Sequence, residues 1–185
     1  MPARGGDLMK EVKLPAEKEV LAQLKAGDMV KLSGTVYTAR DAAHKRLAEM
    51  IEKKQTLPFE LKDAGIYYVG PTPGHDGRPV GSAGPTTSSR MDSYTPRLLD
   101  LGLKVMIGKG RRNEAVKEAI VRNGAVYFVA CGGAGALLSH CITEAQPVAF
   151  EDLLAEAVVK LTLKEFPVFV GIDARGNDIY ELEDE

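Results

Sequence analysis

The sequence has little of what secreted, membrane-bound or strongly charged proteins require. Its 185 residues include only two cysteines, which form no CxxC pair, so a disulfide framework is excluded as the basis of the fold. No apolar run approaches the roughly 20 residues that span a bilayer, and the N-terminus lacks the apolar stretch of a secretory signal. A net charge of −2 gives no global attraction to nucleic acid or to an anionic membrane. We therefore expect a cytoplasmic protein with reduced thiols that binds neither nucleic acid nor membrane.

Hydrophobic periodicity predicts an α/β domain. The predicted helices cover residues 16–28, 39–54, 88–101 and 111–124. The predicted strands cover residues 29–39, 66–71, 103–108 and 125–130. Near the C-terminus we expect a strand followed by a helix over residues 147–158, and a hairpin that turns at Arg175-Gly176-Asn177 over residues 167–182.

The order of these elements indicates a mixed sheet covered by helices. Strands alternate with helices in the middle of the chain, and hairpin signals lie near the ends. We predict a mobile N-terminal arm over residues 1–11 and a single domain over residues 12–185.

The most informative segment is GPTTSSRMD, residues 84–92, which ends a long Gly/Pro-rich loop. Loops of this length in compact domains are often functional. Four consecutive hydroxyl residues precede Arg90 at a predicted helix start, where free N–H groups attract anions. An ordinary helix cap explains one hydroxyl, but it does not explain four hydroxyls followed by a guanidinium that can hold a carboxylate with two hydrogen bonds. The segment therefore favours an anion site over a simple cap.

Two further segments place cations at the ends of predicted strands. TARDAAH, residues 38–44, brings Arg40, Asp41 and His44 within one helical turn, and an arginine at a helix start opposes the helix dipole. GKGRR, residues 108–112, follows a strand at the edge where α/β sheets collect ligands. A solvated helix start and a basic exposed turn are the respective alternatives. GKG is not a P-loop, because its glycine spacing is wrong and Gly110 replaces the required hydroxyl residue.

A fourth segment, CGGAG at residues 131–135, is a weaker candidate. It lacks the spacing of a dinucleotide-binding turn, so close strand–helix packing is the favoured interpretation. The three better segments together supply Arg40, Arg90 and Lys109 as cations and Thr86 as a hydroxyl. Such a set suits a small polyanion, and two arginines suit a dicarboxylate.

TARDAAHKR, GPTTSSRMDSY, IGKG and the terminal FPVFVGIDARGNDIYEL resemble the β subunit of class I fumarases and L-tartrate dehydratases, and the C-terminal domain of single-chain class I fumarases. The resemblance covers about residues 14–182. It implies a swivelling β/β/α domain and a partner α subunit that carries a [4Fe–4S] cluster on three cysteines, in an α2β2 assembly. In that family the unique iron acts as a Lewis acid on the substrate, a small dicarboxylate.

The resemblance also implies roles for individual residues. Arg40, Arg90 and Lys109 correspond to substrate-binding residues, and Thr86 and Lys109 to catalytic ones, with Thr86 as the candidate base. An alkoxide needs strong cationic help near neutral pH, which Lys109 or Arg90 would supply. The remaining residues are expected to support the site: Asp41, His44, Gly84, Thr87, Ser88 and Asp92. No residue of this chain is expected to bind metal.

Three functions remain open from the sequence. The favoured one is the β subunit of a class I fumarate hydratase of the tricarboxylic acid cycle, which interconverts fumarate and (S)-malate. The L(+)-tartrate dehydratase β subunit is the alternative within the same class of hydro-lyases. A non-catalytic dicarboxylate-binding or assembly module is the alternative of another class.

Overall fold

The computed structural model describes residues 9–130 and 134–182. In this part of the chain, seven strands form one mixed sheet. The strands are β1 (Lys10–Leu14), β2 (Met29–Thr38), β3 (Gly65–Tyr67), β4 (Val105–Gly108), β5 (Val126–Val129), β6 (Ile142–Ala149) and β7 (Val158–Ile172). The α-helices are α1 (Lys18–Ala22), α2 (Asp41–Glu52), α3 (Thr95–Asp100), α4 (Glu114–Asn123), α5 (Gly135–Ser139) and α6 (Ile179–Leu182). Two 3-10 segments lie at Ser88–Met91 and Glu151–Glu156.

Five of the strands pair in a closed circuit. Strands β2, β3, β4 and β5 run parallel to their neighbours, and β7 pairs antiparallel with both β5 and β2. Strand β1 extends the sheet parallel to β2, and β6 extends it antiparallel to β7. Because β7 contacts three strands over its 15 residues, it holds the two halves of the sheet together.

Apolar residues fill both faces of the parallel strands. In β4 and β5, Val105, Ile107 and Val126 pack into one core, whereas Met106 and Tyr127 pack into a second core under the helices. Covering on both faces explains why these strands are continuously apolar rather than alternating with polar residues. Burial of both cores supplies the main stabilisation of the fold.

Helices α2 and α4 cover the second core. Helix α2 buries Ala43 and Leu47 there, and helix α4 buries Val116 and Ile120. The start of α4 is capped by Asn113, whose side chain accepts the Val116 N–H at 2.9 Å. Within residues 9–130 and 134–182, no helix is both long and apolar enough to cross a bilayer.

The structure confirms the predicted fold class, a mixed α/β domain whose sheet is covered by helices. The predicted strand over residues 29–39 and the predicted helix over residues 39–54 match β2 and α2 closely. Residues 1–8 of the predicted arm lie outside the described residues. The next part of the chain forms β1 from Lys10 onward, which places the start of the ordered sheet two residues inside that arm.

Several elements differ from prediction for local reasons. The predicted helix over 16–28 is only five residues long, because a turn follows in which the Lys25 N–H donates to the Asp28 carboxylate. The predicted helix over 88–101 is divided into a 3-10 segment and α3, which has Pro96 in its first turn. The predicted C-terminal hairpin is reduced to a single bridge between Ile172 and Asp178, and helix α6 follows it.

Candidate functional site

The predicted site segments meet at one edge of the sheet. Strands β2, β3 and β4 are parallel, so the residues that follow them lie at the same edge. Arg40 follows β2, and Lys109 follows β4. The GPTTSSRMD segment crosses this edge, because the Thr86 N–H donates to the Tyr68 carbonyl at 2.7 Å and Thr87 forms a parallel bridge with Lys109.

The turn that carries Lys109 is held by a closed set of hydrogen bonds. The Lys109 N–H donates to the Ser88 hydroxyl (3.0 Å), and the Ser88 N–H donates to the Lys109 carbonyl (2.9 Å). The Tyr127 hydroxyl lies 2.8 Å from both the Ser88 hydroxyl and the Gly110 carbonyl. Because a carbonyl only accepts and a phenol has one proton, Tyr127 donates to Gly110 and Ser88 donates to Tyr127. Burial raises the pKa of Tyr127, which keeps this donor protonated.

Arg40 lies just before helix α2, and its guanidinium packs on the backbone of Gly70. A Cβ on residue 70 would stand 2.8 Å from the Arg40 Cζ, so any side chain there would displace the guanidinium. The Arg40 Nε lies 3.8 Å from the Glu156 carboxylate, which also accepts the Ala42 N–H at 3.2 Å. The Nε is buried, and among the described residues it has no hydrogen-bond partner.

Arg90 is joined to the TARDAAH segment through Asp41. Its Nε and Nη2 donate to the two carboxylate oxygens of Asp41, at 3.1 and 2.6 Å. This two-point contact uses two of the five N–H donors of the guanidinium and leaves three. The pair is partly exposed to solvent. Asp41 therefore orients Arg90 at the edge of the sheet.

His44 contacts the backbone carbonyl of Arg40 from within helix α2. It is buried between the rings of Tyr68 and Tyr94, and its Nδ1 lies 2.8 Å from the Arg40 carbonyl. Because that carbonyl accepts, the proton is on Nδ1 and not on Nε2. Burial lowers the pKa of His44 to about 4, so the ring is neutral at physiological pH. Its Nε2 has no partner within the part of the chain that the structure describes.

Asp92 binds a buried arginine beneath the edge. The Arg112 Nε donates to Asp92 Oδ1 at 2.6 Å, and the Asn113 N–H donates to Oδ2 at 2.9 Å. The Arg112 Nη2 donates to the hydroxyls of Thr95 (2.9 Å) and Tyr68 (3.2 Å). Both members of this ion pair are nearly inaccessible to solvent. Arg112 therefore cross-links the GPTTSSRMD segment, the residue that follows strand β3 and the start of α3. It is not the exposed basic residue that the turn alternative assumes.

The helix-cap alternative does not account for the hydroxyl residues. Thr87 is the N-cap of the 3-10 segment, and its side chain makes no cap hydrogen bond. The buried Ser88 hydroxyl is used instead by the Lys109 turn. Across residues 9–130 and 134–182, the Thr86 hydroxyl and the Lys109 ammonium have no hydrogen-bond or ion-pair partner.

Three groups at this edge thus remain available to a ligand. They are the Thr86 hydroxyl, the Lys109 ammonium and the exposed part of the Arg40 guanidinium. Two cations with free donors and one hydroxyl, joined by Arg90 with three further donors, can bind an anion with more than one carboxylate. A hydroxyl exchanges a proton with such a ligand near neutral pH only if a neighbouring cation stabilises its deprotonated form.

The fourth candidate segment is described only in part. Cys131 to Gly133 lie outside the described residues. Gly135 contacts the 84–92 segment, because the Ala83 N–H donates to its carbonyl at 3.1 Å and a Cβ on Gly84 would lie 3.5 Å from its Cα. A Cβ on Gly135 would lie 2.9 Å from the Gly84 nitrogen, so the close approach requires glycine at position 135, whereas the contact at Gly84 is an ordinary one.

The described residues contain no arrangement suited to a metal. Between residues 9 and 130 and between 134 and 182, no group of three or more His, Cys, Asp or Glu side chains could hold a metal ion. Cys141 is half-buried, and burial raises the pKa of its thiol, which disfavours the thiolate that iron or zinc requires. The chain has only two cysteines in total. Its own residues therefore do not fit a cluster that needs three.

Two contributing residues could not be predicted from the motifs. Glu156 reaches Arg40 from the 3-10 segment Glu151–Glu156, which is more than 100 positions away in sequence. Gly70 lies within the predicted strand over 66–71 and follows the observed strand β3, and only the packing of Arg40 reveals its contribution. Neither residue lies in a pattern that indicates an anion site.

Comparison with known proteins identifies the family. The family model for the fumarase C-terminus matches residues 3–183, and the chain therefore belongs to that family. It is 39% identical over 169 residues to the anaerobic class I fumarate hydratase of Escherichia coli K12, covering 89% of this chain and 31% of the relative. It is 37% identical over 174 residues to fumarate hydratase 2 of Leishmania major, covering 92% of this chain and 31% of the relative.

Relatives of two different lengths are found. The chain spans about a third of the length of the two fumarate hydratases just named. A protein of Methanocaldococcus jannaschii, provisionally named L(+)-tartrate dehydratase subunit beta, is 38% identical over 170 residues, covering 89% of this chain and 87% of the relative. The same domain thus occurs both as part of a long chain and as nearly the whole of a short one.

Proposed function

We propose that this chain is the β subunit of a two-subunit class I fumarate hydratase, which catalyses the reversible hydration of fumarate to (S)-malate. The observation that carries the proposal is the set of groups available at one edge of the sheet, namely the Thr86 hydroxyl, the Lys109 ammonium and the exposed part of the Arg40 guanidinium. This set lies in a domain that belongs to the fumarase C-terminus family. The match to 87% of a relative provisionally named as a β subunit supports a two-subunit arrangement.

In this proposal the arginines hold the two carboxylates of the substrate. Arg40 offers the exposed part of its guanidinium, which its packing on Gly70 holds at the edge of the sheet. Arg90 keeps three N–H donors after its contact with Asp41. Asp41 therefore does not block the binding role of Arg90 but holds its guanidinium in one orientation before substrate arrives.

Thr86 and Lys109 are proposed to handle the carbon-bound proton. When malate loses water, a proton leaves the carbon next to a carboxylate, and negative charge builds on that carboxylate. The Thr86 hydroxyl must lose its own proton to act as the base, and the Lys109 ammonium stabilises the resulting alkoxide. The hydrogen bonds of Ser88 and Tyr127 to the Lys109 turn fix the backbone that carries this ammonium.

The iron–sulfur cluster belongs to the partner subunit in this proposal. The two cysteines of this chain are too few to supply three ligands, and the described residues hold no other suitable group. We further propose an α2β2 assembly located in the cytoplasm, with the β chain closing over the cluster-bearing surface of the α chain.

L(+)-tartrate dehydratase is the second candidate. It is favoured by one specific observation, the match to 87% of a relative provisionally named as a subunit of that enzyme. Tartrate differs from malate by one further hydroxyl, so the same arginines would serve both substrates. Discrimination would depend on a hydrogen-bond partner for the extra hydroxyl.

The proposal is tested by assembling the enzyme. The chain is co-expressed under anaerobic conditions with the protein of the same genome that matches the remainder of the E. coli chain, and hydration or dehydration is measured with fumarate, malate and tartrate. We expect a complex that is active on malate and fumarate, and an isolated chain that is inactive. Activity confined to tartrate would select the second candidate, and an assembled, cluster-replete complex inactive on all three would refute both.

A further inference from the structure

An apolar groove adjoins the candidate site. It has a volume of about 580 Å³, and its lining includes Pro71, Pro73, Pro79, Pro147, Leu154 and Val159. Four prolines cannot relax their φ angles, so the walls of the groove are stiff. The loop that forms one wall is tied at its base, because the Thr72 N–H donates to the Ser82 carbonyl and the Gly81 N–H to the Thr72 carbonyl, both at 3.0 Å. The groove is therefore preformed, which lowers the entropic cost of filling it.

The side chain of Leu154, at the rim of this groove, adds little to the stability of the fold. Its side chain is 82% exposed, and its backbone lies at φ 54° and ψ −116°, a region that residues other than glycine rarely occupy. A leucine here combines backbone strain with apolar surface left in water. Strained residues of this kind occur where an external ligand or partner is bound.

We propose that the groove and Leu154 form the docking surface for the subunit that completes the candidate site. The inference rests on the proposed function, and it names the part of this chain that the partner binds. The occupant is an apolar segment of the partner, which fills the groove while Leu154 inserts into the partner's own surface. An exposed leucine that becomes buried on docking favours association, because its apolar surface is removed from water.

The position of the groove favours this occupant. Gly70 lies where site and groove meet, because a Cβ on it would stand 2.8 Å from the Arg40 Cζ and 3.1 Å from the Ala155 carbonyl. Pro71 and Ala155, which line the groove, are the neighbours of Gly70 and Glu156 in sequence. A protein surface that covers Arg40 therefore extends over the groove.

The lengths of the relatives indicate which protein supplies the surface that covers Arg40 and the groove. In the E. coli relative this domain is 31% of the chain, so a much larger part of the same protein is available to cover it. A second copy of this chain fits less well. A symmetric contact through the groove would bring the Arg40 guanidiniums of the two copies near each other, and like charges oppose such a contact.

The test measures association rather than activity. Wild type, Leu154→Asp and Leu154→Gly are each titrated calorimetrically into the protein of the same genome that matches the remainder of the E. coli chain. Leu101→Asp is the matched control, because Leu101 is also exposed, at 48%, but follows helix α3 near the start of β4 at the opposite edge of the sheet. Melting temperatures report on folding.

We expect Leu154→Asp to weaken association at least ~30-fold, as substitution of a central interface residue does, and Leu101→Asp to leave it within about twofold. Leu154→Gly should also weaken association while its melting temperature equals or exceeds that of wild type, because glycine relieves the strain. Wild-type affinity for both Leu154 variants would overturn the docking surface while leaving the proposed function intact. A wild-type chain that does not bind the partner would overturn both. A wild-type dimer of this chain that Leu154→Asp dissociates would assign the groove to a second copy instead.

Discussion

The hydroxyl oxygen of Ser88 lies 2.0 Å from the position that a Cβ would occupy on residue 108. Gly108 ends strand β4, and the space of its missing side chain is where Ser88 reaches Lys109 and Tyr127. The ring of Tyr68 closes the same space, 2.7 Å from that Cβ position. The φ of Gly108 is not positive, so this glycine is required for contact and not for backbone freedom.

Gly108→Ala should therefore lower the free energy of unfolding by about 1–3 kcal/mol, the usual cost of overpacking a filled space. In Ser88→Ala the obstructing oxygen is absent, although the Tyr68 ring at 2.7 Å and the Cβ of residue 88 at 3.3 Å would still crowd the new methyl group. The double variant should thus cost less than the sum of the two single variants, by about 1 kcal/mol. Urea denaturation of the four proteins measures this difference, and strictly additive losses would contradict the contact.

The Asp92–Arg112 pair gives a second test, on stability alone. Arg112→Met should lower the free energy of unfolding by about 3–5 kcal/mol, because it leaves the buried Asp92 carboxylate without its partner. Arg122→Met is the matched control. Its ion pair with Asp100 is half-exposed, so the loss of stability should be much smaller than for Arg112→Met. Equal losses for the two variants, measured by urea denaturation, would show that Arg112 is not cross-linking the site segments.

His44 should make stability depend on pH in a defined window. Its pKa falls from 6.5 to about 4 on folding, because the ring is buried. Above pH 6.5 the imidazole is neutral in both the folded and the unfolded state, so its contribution to the free energy of unfolding is fully present. As the pH falls from 6.5 towards 4, the unfolded chain binds a proton that the folded chain does not, so stability is lost, up to about 3 kcal/mol.

The substitution His44→Asn separates this effect from the titration of carboxylates. Asparagine retains an N–H for the Arg40 carbonyl but has no ionisable group. We expect the variant to be less stable than wild type at pH 7, because it loses the ring contacts with Tyr68 and Tyr94. The difference in the free energy of unfolding between wild type and the variant should narrow as the pH is lowered to 4.5, because only wild type loses stability through His44. Parallel stability curves for the two proteins would contradict the assigned pKa.

The parallel strands could be predicted because their apolar runs are continuous and end in glycine or polar residues. The β6–β7 hairpin is largely absent from the predicted elements, although Leu161 and Leu163 alternate with polar neighbours in the pattern of a strand. Strand β1 has a weaker pattern, and its pairing with β2 is a tertiary interaction that sequence periodicity does not reveal.

The candidate site could be predicted in part because each motif follows a strand, and parallel strands bring their ends together. The burial of Arg112 could not be predicted, because a basic residue in a turn next to Lys109 and Arg111 is usually exposed. Its environment is made by Tyr68, Tyr127 and Asp92, which come from three separate segments. The same applies to Glu156, whose contact with Arg40 depends on the position of a 3-10 segment after β6.

Thr86→Ala tests the central role in the proposed reaction. The Thr86 hydroxyl has no hydrogen-bond partner across residues 9–130 and 134–182, and Thr87 rather than Thr86 is the N-cap of the 3-10 segment. Removing this hydroxyl should therefore change the free energy of unfolding by less than about 0.5 kcal/mol. If it takes or relays the proton, turnover of the assembled complex should fall by ~10²-fold or more with little change in KM.

Three companion variants complete the Thr86 experiment. Thr86→Ser keeps a hydroxyl and should retain turnover within a few-fold, whereas Ser89→Ala removes an exposed hydroxyl from the same segment and should change nothing. Arg90→Lys keeps the charge but loses the two-point contact with Asp41, so KM and kcat should both deteriorate. All are measured on the cluster-replete complex with malate and fumarate, with melting temperature as the folding control. Near-normal turnover of Thr86→Ala would mean that the base lies on the partner subunit and that this edge of the sheet only binds the substrate.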